Sequence, residues 1–168
     1  IAAAKMAGMD GIVAGVLNPD GTVDEKRTAI LVDAAAPMNV TFHRAFDMAM
    51  DLPAAMESII YAGCSRILTS GGQQTAPQGL DMISQLVKSA GDRITIMPGS
   101  GVNSGNIKHI ADVTGAKEIH LSARRFVHGK MNFKKSEVTM GGIATIPDYD
   151  VQVPDNKMIG DIINLFKS

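Results

Sequence analysis

Short β-branched runs recur along this chain at a near-constant interval, and that recurrence limits what it can fold into. The runs fall at 11–17, 39–46, 66–70, 93–97 and 118–122. With Ile12, Val40, Ile67, Ile94 and Glu118 as reference points, the intervals are 28, 27, 27 and 24 residues. A hairpin closes in far fewer residues, whereas a parallel pair needs a crossover of a dozen or more. The repeat is therefore that of a βα unit.

The gaps carry helix signals. Thr22-Val-Asp-Glu25 reads as a capping box before a helix that Pro37 stops near Ala36. Asp51 is the expected cap of the next helix, with Pro53 in its first turn and Gly63 after its end. Thr75-Ala-Pro-Gln78 repeats the capping pattern ahead of the stripe Leu80, Ile83, Leu86 and Val87, which Gly91 closes. Asn103 or Ser104 is expected to start a shorter helix through Ile107 and Ile110, ended by Gly115. Ile1-Ala-Ala-Ala-Lys-Met-Ala-Gly8 resembles the last two turns of a helix without its start, so the chain reads as beginning inside a longer one.

Strict alternation predicts an α/β fold with a parallel sheet. A doubly wound sheet and a TIM (β/α)8 barrel both satisfy it. The polar alternate positions Thr41, His43, Thr69, Thr95, Glu118, His120 and Ser122 favour the barrel, because a sheet covered on both faces should be almost wholly aliphatic. Five units of about 27 residues, with three more, total the roughly 250 residues of a full barrel. The expectation is one domain, 1–168, forming a partial barrel of the last five βα units with the amino-terminal three absent. The stretch 124–154 lacks clear periodicity and is expected to be an ordered flap. Asp155 then caps an amphipathic helix carrying Met158, Ile162, Ile163 and Phe166.

Composition narrows the function classes. Sixteen Lys and Arg against seventeen Asp and Glu give a net charge of −1, which leaves no cationic surplus for a nucleic-acid partner. No apolar run reaches the roughly 18 residues of a membrane span and no leader pattern opens the chain. Cys64 is the only cysteine, so no intramolecular disulfide or multi-cysteine zinc site can form. These features predict a cytoplasmic protein with neither nucleic acid nor membrane as partner.

Several segments resemble the CutC family: 11–24, Val40-Thr-Phe-His-Arg-Ala-Phe-Asp47, Arg66-Ile-Leu-Thr-Ser-Gly-Gly-Gln73, Ile96-Met-Pro-Gly-Ser-Gly-Val102 and Ile119-His-Leu-Ser-Ala-Arg-Arg125, with Met140-Gly-Gly142 beyond them. The resemblance implies a TIM barrel of about 250 residues. It also implies a role in cytosolic copper homeostasis, without attaching a reaction.

In a barrel the loops after the strands share one face. His43, Arg44 and Asp47, then Ser70, Gly71 and Gly72, then Gly99, Ser100 and Gly101, and finally Ser122 and Arg124 should meet there. The glycines stand before helix starts, where bare N–H groups and the helix dipole favour an anion. By the resemblance, the loops at Gly99 and Ser122 are the seventh and eighth, between which barrels often hold phosphate, with Arg124 or Arg125 at hand. The expected ligand is a small anionic metabolite bound by Ser70, Gly71, Gly72, Gly99, Ser100, Gly101, Ser122 and Arg124. His43, Arg44, Asp47 and His120 form the expected acid/base set. Proton abstraction, isomerisation or aldol-type chemistry would suit it, and the lack of a strand-end lysine argues against a Schiff base.

His109 and His128 read as surface residues. No cofactor and no metal site is expected: Cys64 falls at the opposite end of its strand from His43, and the eleven methionines scatter as core filling, with Met48-Ala-Met50 the one tempting pair. The alternative, carried by the resemblance alone, is a copper-binding or copper-trafficking protein without catalysis. Unpaired strand edges in a partial barrel further predict a homo-oligomer or an aggregation-prone chain.

Overall fold

The structure is a computed structural model of the 168-residue chain, and it describes residues 1–135, 137–138 and 148–167. It forms two compact units, Ile1–Leu121 and Ser122–Ser168. No helix among the described residues is long and apolar enough to cross a membrane.

The first unit is built on four parallel strands, β1 (Gly11–Ala14), β2 (Asn39–Phe42), β3 (Arg66–Thr69) and β4 (Thr95–Pro98), in spatial order β1-β2-β3-β4. Sequential order means that each right-handed crossover returns on the same side of the sheet. The crossovers are α2 (Glu25–Ala35), α3 (Leu52–Tyr61) and α4 (Leu80–Ala90); α1 (Ala2–Met6) precedes β1 and α5 (Ile107–Thr114) follows β4. Val40, Phe42, Ile67 and Ile96 from the sheet are buried with Met56 and Ile59 of α3, Ile83 and Leu86 of α4, and Ile110 of α5. The opposite row, Val13, Thr41, Arg66 and Thr95, is joined side by side in the ladder. No helix of the first unit packs on this face: Val13 is 64% exposed, Thr41 is buried beside the Arg66 side chain, and Arg66 crosses to a bidentate pair with Glu118 at 2.5 and 2.8 Å.

Several helix starts depart from the sequence reading. Asp24, not Thr22, caps α2, accepting from the Arg27 amide, because Thr22 is drawn into a turn with Asp20. Asp51 caps α3 as expected, accepting from the Ala54 amide. The Thr75–Gln78 signal heads a 3-10 turn, Ala76–Gln78, ahead of α4. Asn106 rather than Asn103 or Ser104 precedes α5, whose left-handed terminus is Gly115 as expected. Thr69 is a further correction. It shares the helix-facing parity of Ile67 and is fully buried, tolerated there because its hydroxyl donates to Asp47 and accepts from the Gly71 amide.

The expected fifth parallel strand at 118–122 does not form. A single ladder-like bond, His120 N–H to the Pro98 carbonyl at 2.8 Å, ties this segment to β4. In a parallel ladder the residue that accepts that bond would also donate to the neighbouring strand, and Pro98 has no N–H to give.

The second unit is a correction as well. The stretch expected to be an ordered flap without clear periodicity contributes β5 (Arg124–His128) and β6 (Asp150–Pro154), an antiparallel pair. Asp155 accepts from the amides of Lys157 and Met158 and caps α6 (Asn156–Leu165). Gly141-Gly142 and the Met140-Gly-Gly142 motif lie outside the described residues.

Candidate functional site

The strand-end loops of the first unit converge on one carboxylate. β2 stops at Phe42, four residues before the sequence suggests, because His43 turns to cap a 3-10 helix, Arg44–Met48, its Nδ1 accepting from the Ala45 amide at 3.1 Å. That turn carries Asp47 back over the end of β3. Asp47 Oδ1 accepts from Thr69 Oγ1 at 2.6 Å and from the Gly72 amide at 3.0 Å. The Ser70 amide reaches both oxygens at 3.0 Å, and Arg44 Nε donates to Oδ2 at 2.8 Å. Ser70 Oγ lies 3.1 Å from Oδ2, accepts from Arg44 Nη2 at 2.6 Å and donates to the Gln73 carbonyl. Arg44 Nη2 donates to the same carbonyl at 3.2 Å.

The Asp47 side chain is 5% exposed. Burial pushes its carboxyl up, and the hydrogen bonds from Thr69, Gly72, Arg44 and Ser70 more than offset this, holding it below its ordinary value. Asp47 is thus an ionised, fully engaged group near neutral pH, with its lone pairs committed.

This changes what the Gly71-Gly72 turn does. The sequence reading leaves these amides free for a ligand anion. In the structure the Gly71 amide donates to Thr69 Oγ1 and the Gly72 amide to Asp47, so the protein's own carboxylate fills the nest. Glycine is nonetheless required at 71: φ is +71°, and a Cβ would stand 2.6 Å from the Gly79 carbonyl oxygen.

The next loop is fastened to this one. Ser100 Oγ donates to the Gln74 carbonyl at 2.8 Å and the Ala76 amide donates to the Ser100 carbonyl at 2.9 Å. Gly99 is held in the ladder by its own N–H to the Thr69 carbonyl, and Gly101 lies against Thr75. Outside the knot a cleft opens, lined by Arg44, Asp47, Met48, Gly72, Gln73 and Gln74. Met48, Gln73 and Gln74 are contributions the sequence reading missed. The Gln pair directly follows two glycines and carries no signal beyond polarity.

The expected acid/base set is not assembled. His43 is absent from the cleft; its ring meets Phe42 edge-on at 6.0 Å between centroids and packs over Gly15, where a Cβ would lie 2.9 Å from its Cε1 and Nδ1. His120 is exposed beside Gly99 and does not line the cleft. Ser122 and Arg124 belong to the second unit, where Arg124 Nη1 donates to Gln152 Oε1 at 3.2 Å. Cys64 is buried between α3 and β3, and burial pushes its thiol up to about 11. No group of three or more His, Cys, Asp or Glu side chains among the described residues could hold a metal ion.

Comparison with known proteins gives one consistent answer. The sequence profile of the CutC family matches residues 1–125. A CutC family protein of Chromobacterium violaceum is 47% identical over 137 residues, 82% of this chain and 56% of that protein. A CutC family protein of Bacteroides fragilis is 42% identical over 98% of this chain and 66% of its own length. The copper homeostasis protein CutC homologue of Homo sapiens is 41% identical over 152 residues, 90% of this chain and 56% of that protein. A crystal structure of a CutC protein from Streptococcus agalactiae superposes with a TM-score of 0.66 at 30% identity, covering 70% of this chain and 58% of that one. The chain therefore spans between about half and two thirds of the length of these relatives.

Proposed function

The chain belongs to the CutC family, and from that premise we propose that its parallel strands are part of a (β/α)8 barrel whose strand-end loops bind a small anionic metabolite. The observation that carries this is the state of Arg44. Its Nε and Nη2 are committed to Asp47, Ser70 and the Gln73 carbonyl, while Nη1 has no partner among the described residues. The Arg44 side chain is 39% exposed where Asp47 is 5% exposed, so a ligand entering the cleft meets the cation and not the carboxylate behind it. The carboxamides of Gln73 and Gln74, both exposed on the same cleft, supply further neutral donors.

Asp47 is a positioning residue in this reading, since a carboxylate whose lone pairs are committed to four donors has none with which to take a substrate proton. His43, another acid/base candidate, lies outside this cleft with its Nδ1 accepting from the Ala45 amide, so the reading is one of binding and assigns no proton-transfer step. Calorimetric titration with inorganic phosphate at low salt tests the reading. Saturable binding should be lost in Arg44→Gln and weakened in Gln74→Glu, which adds a negative charge at the rim and leaves the knot intact. Absence of saturable binding in the millimolar range by the unmodified chain refutes it.

A second reading follows from the names of the human and mouse relatives, which are copper homeostasis proteins. Met48 and Met50 are 77% and 76% exposed, and thioethers suit Cu(I). If this chain carries copper as cargo, a Cu(I) competition titration should lose binding when both methionines become Leu.

A further inference from the structure

Ser100 holds a backbone conformation that a side chain makes costly. Its φ is +77°, and apart from Ala123 every other described residue with positive φ is a glycine. The flanking sequence Gly99-Ser-Gly101 shows that glycine is accommodated on either side, yet a serine stands at the strained position. What it does there is specific. Its hydroxyl donates to the Gln74 carbonyl at 2.8 Å and its carbonyl accepts from the Ala76 amide at 2.9 Å, so one residue of the loop after β4 grips the segment after β3 at two points. Gly101 packs against the Thr75 side chain between those points, where a Cβ would come within 2.8 Å. On the other side, the Gln73 carbonyl is fixed by Ser70 and Arg44.

Gln73 and Gln74 are therefore pinned from opposite sides, the first by the Asp47 knot and the second by Ser100. Two adjacent carbonyls held in this way fix where the two side chains leave the main chain, and both residues line the cleft. We propose that Ser100 is a positioning residue for ligand selection: it stays strained at positive φ in order to clamp Gln74, and through Gln74 it shapes the rim that meets the ligand beside Arg44. The ligand half of this inference rests on the anion reading above; the clamp half does not.

Two variants separate strain from clamp. Ser100→Gly removes both the hydroxyl and the backbone cost, while Ser100→Ala removes the hydroxyl and keeps the cost. Three quantities are read on the full chain: the urea midpoint, amide hydrogen exchange of residues 73–76, and affinity for inorganic phosphate. Ser100→Gly should unfold at the same or a higher urea concentration than the unmodified chain, yet exchange faster at 73–76 and bind phosphate about fivefold more weakly, the size of one net hydrogen bond. Ser100→Ala should show the same local exchange and binding losses together with a lower midpoint. Unchanged exchange at 73–76 in both variants overturns the clamp. Faster exchange with unaltered phosphate affinity overturns the selective role. If the unmodified chain binds no phosphate, the anion reading fails by itself, and the exchange data still decide whether Ser100 clamps.

Discussion

Replacing Asp47 by Asn should destabilise the first unit out of proportion to the change of one atom. The carboxylate accepts from Thr69 Oγ1, the Ser70 and Gly72 amides and Arg44 Nε, and all four are donors with no alternative acceptor at the same point. An amide can keep its oxygen toward Thr69 and Gly72, but its NH2 then confronts the Arg44 Nε–H at a site where 2.8 Å now separates donor from acceptor. A lost hydrogen bond to a charged group costs about 1.5–3 kcal/mol, and a buried pair broken on one side about 3–5 kcal/mol. Arg44 is 39% exposed and water can recover part of its solvation, so the expected cost is about 2–3 kcal/mol near neutral pH. At roughly 2–4 °C per kcal/mol for a chain of this size, Tm should fall by about 4–12 °C.

The pH dependence supplies an internal control. The folded-state carboxyl titrates below its ordinary value, so the unfolded chain binds the proton first as pH falls. The stabilisation from Asp47 is then fully present above the unfolded value of about 3.9 and is lost as pH drops through the folded value. Differential scanning calorimetry of both proteins from neutral pH down to the acid limit should show the gap in Tm closing at the acid end only. Equal Tm values near neutral pH, or a gap that persists undiminished in acid, would refute the assignment of Asp47 as the ionised centre of the knot.

Three further outcomes are expected. Gly15→Ala should cost about 1–3 kcal/mol in urea unfolding, because the new methyl meets His43 and the fully buried Phe42 ring at 2.9–3.0 Å, and His43 can yield only by giving up its bond to the Ala45 amide. Cys64, with its thiol raised to about 11, should be inert to an aromatic disulfide reagent at pH 8 until the chain is unfolded, and Cys64→Ser should leave any Cu(I) binding unchanged. β1 has no partner strand on its outer side among the described residues and Val13 stands 64% exposed on the face that no helix of the first unit covers, so sedimentation velocity should find concentration-dependent self-association; a single monomeric species at all concentrations would contradict it.

The repeat of β-branched runs was enough to place β1 to β4 and the helices between them, since a 27-residue period with parallel pairing leaves few topologies. It misjudged 118–122 for a reason that resides in one residue of the neighbouring strand: Pro98 removes a rung, and no periodicity in 118–122 itself can reveal that. The β5–β6 pair was missed because its two halves are five residues each and twenty-one residues apart, so neither offers a pattern longer than a strand and no tight turn joins them. Thr69 shows the limit of face assignment from polarity. A buried hydroxyl with two partners is as much a core residue as an isoleucine, and its partners come from loops whose approach no local pattern encodes.

The candidate site was legible only in part: His43 and His120 do not line the cleft, and Met48, Gln73 and Gln74 went unread as lining residues. Arg44, Asp47, Ser70 and the glycines do gather at the ends of β2 and β3, as strand direction requires, yet the glycine-rich turn proves to be built around a carboxylate the chain carries itself. Nests of this kind bind whichever anion reaches them, and a side chain attached three residues after Arg44 arrives at an effective concentration no free metabolite can match. The consequence is a division of labour that fixes where selectivity must reside. With the main-chain donors of the turn consumed by Asp47 and Thr69, and the Nε and Nη2 donors of Arg44 consumed by the same knot, an incoming anion is left with Nη1 and the carboxamides of Gln73 and Gln74. One nitrogen cannot grip a carboxylate in the two-point fork available to a free guanidinium. A tetrahedral oxyanion, which presents oxygens in several directions at once, matches three donors on separate stems better than a planar one. Phosphate should therefore displace acetate from the cleft when the two compete at equal charge concentration, and the opposite order would place the ligand contact somewhere other than Arg44.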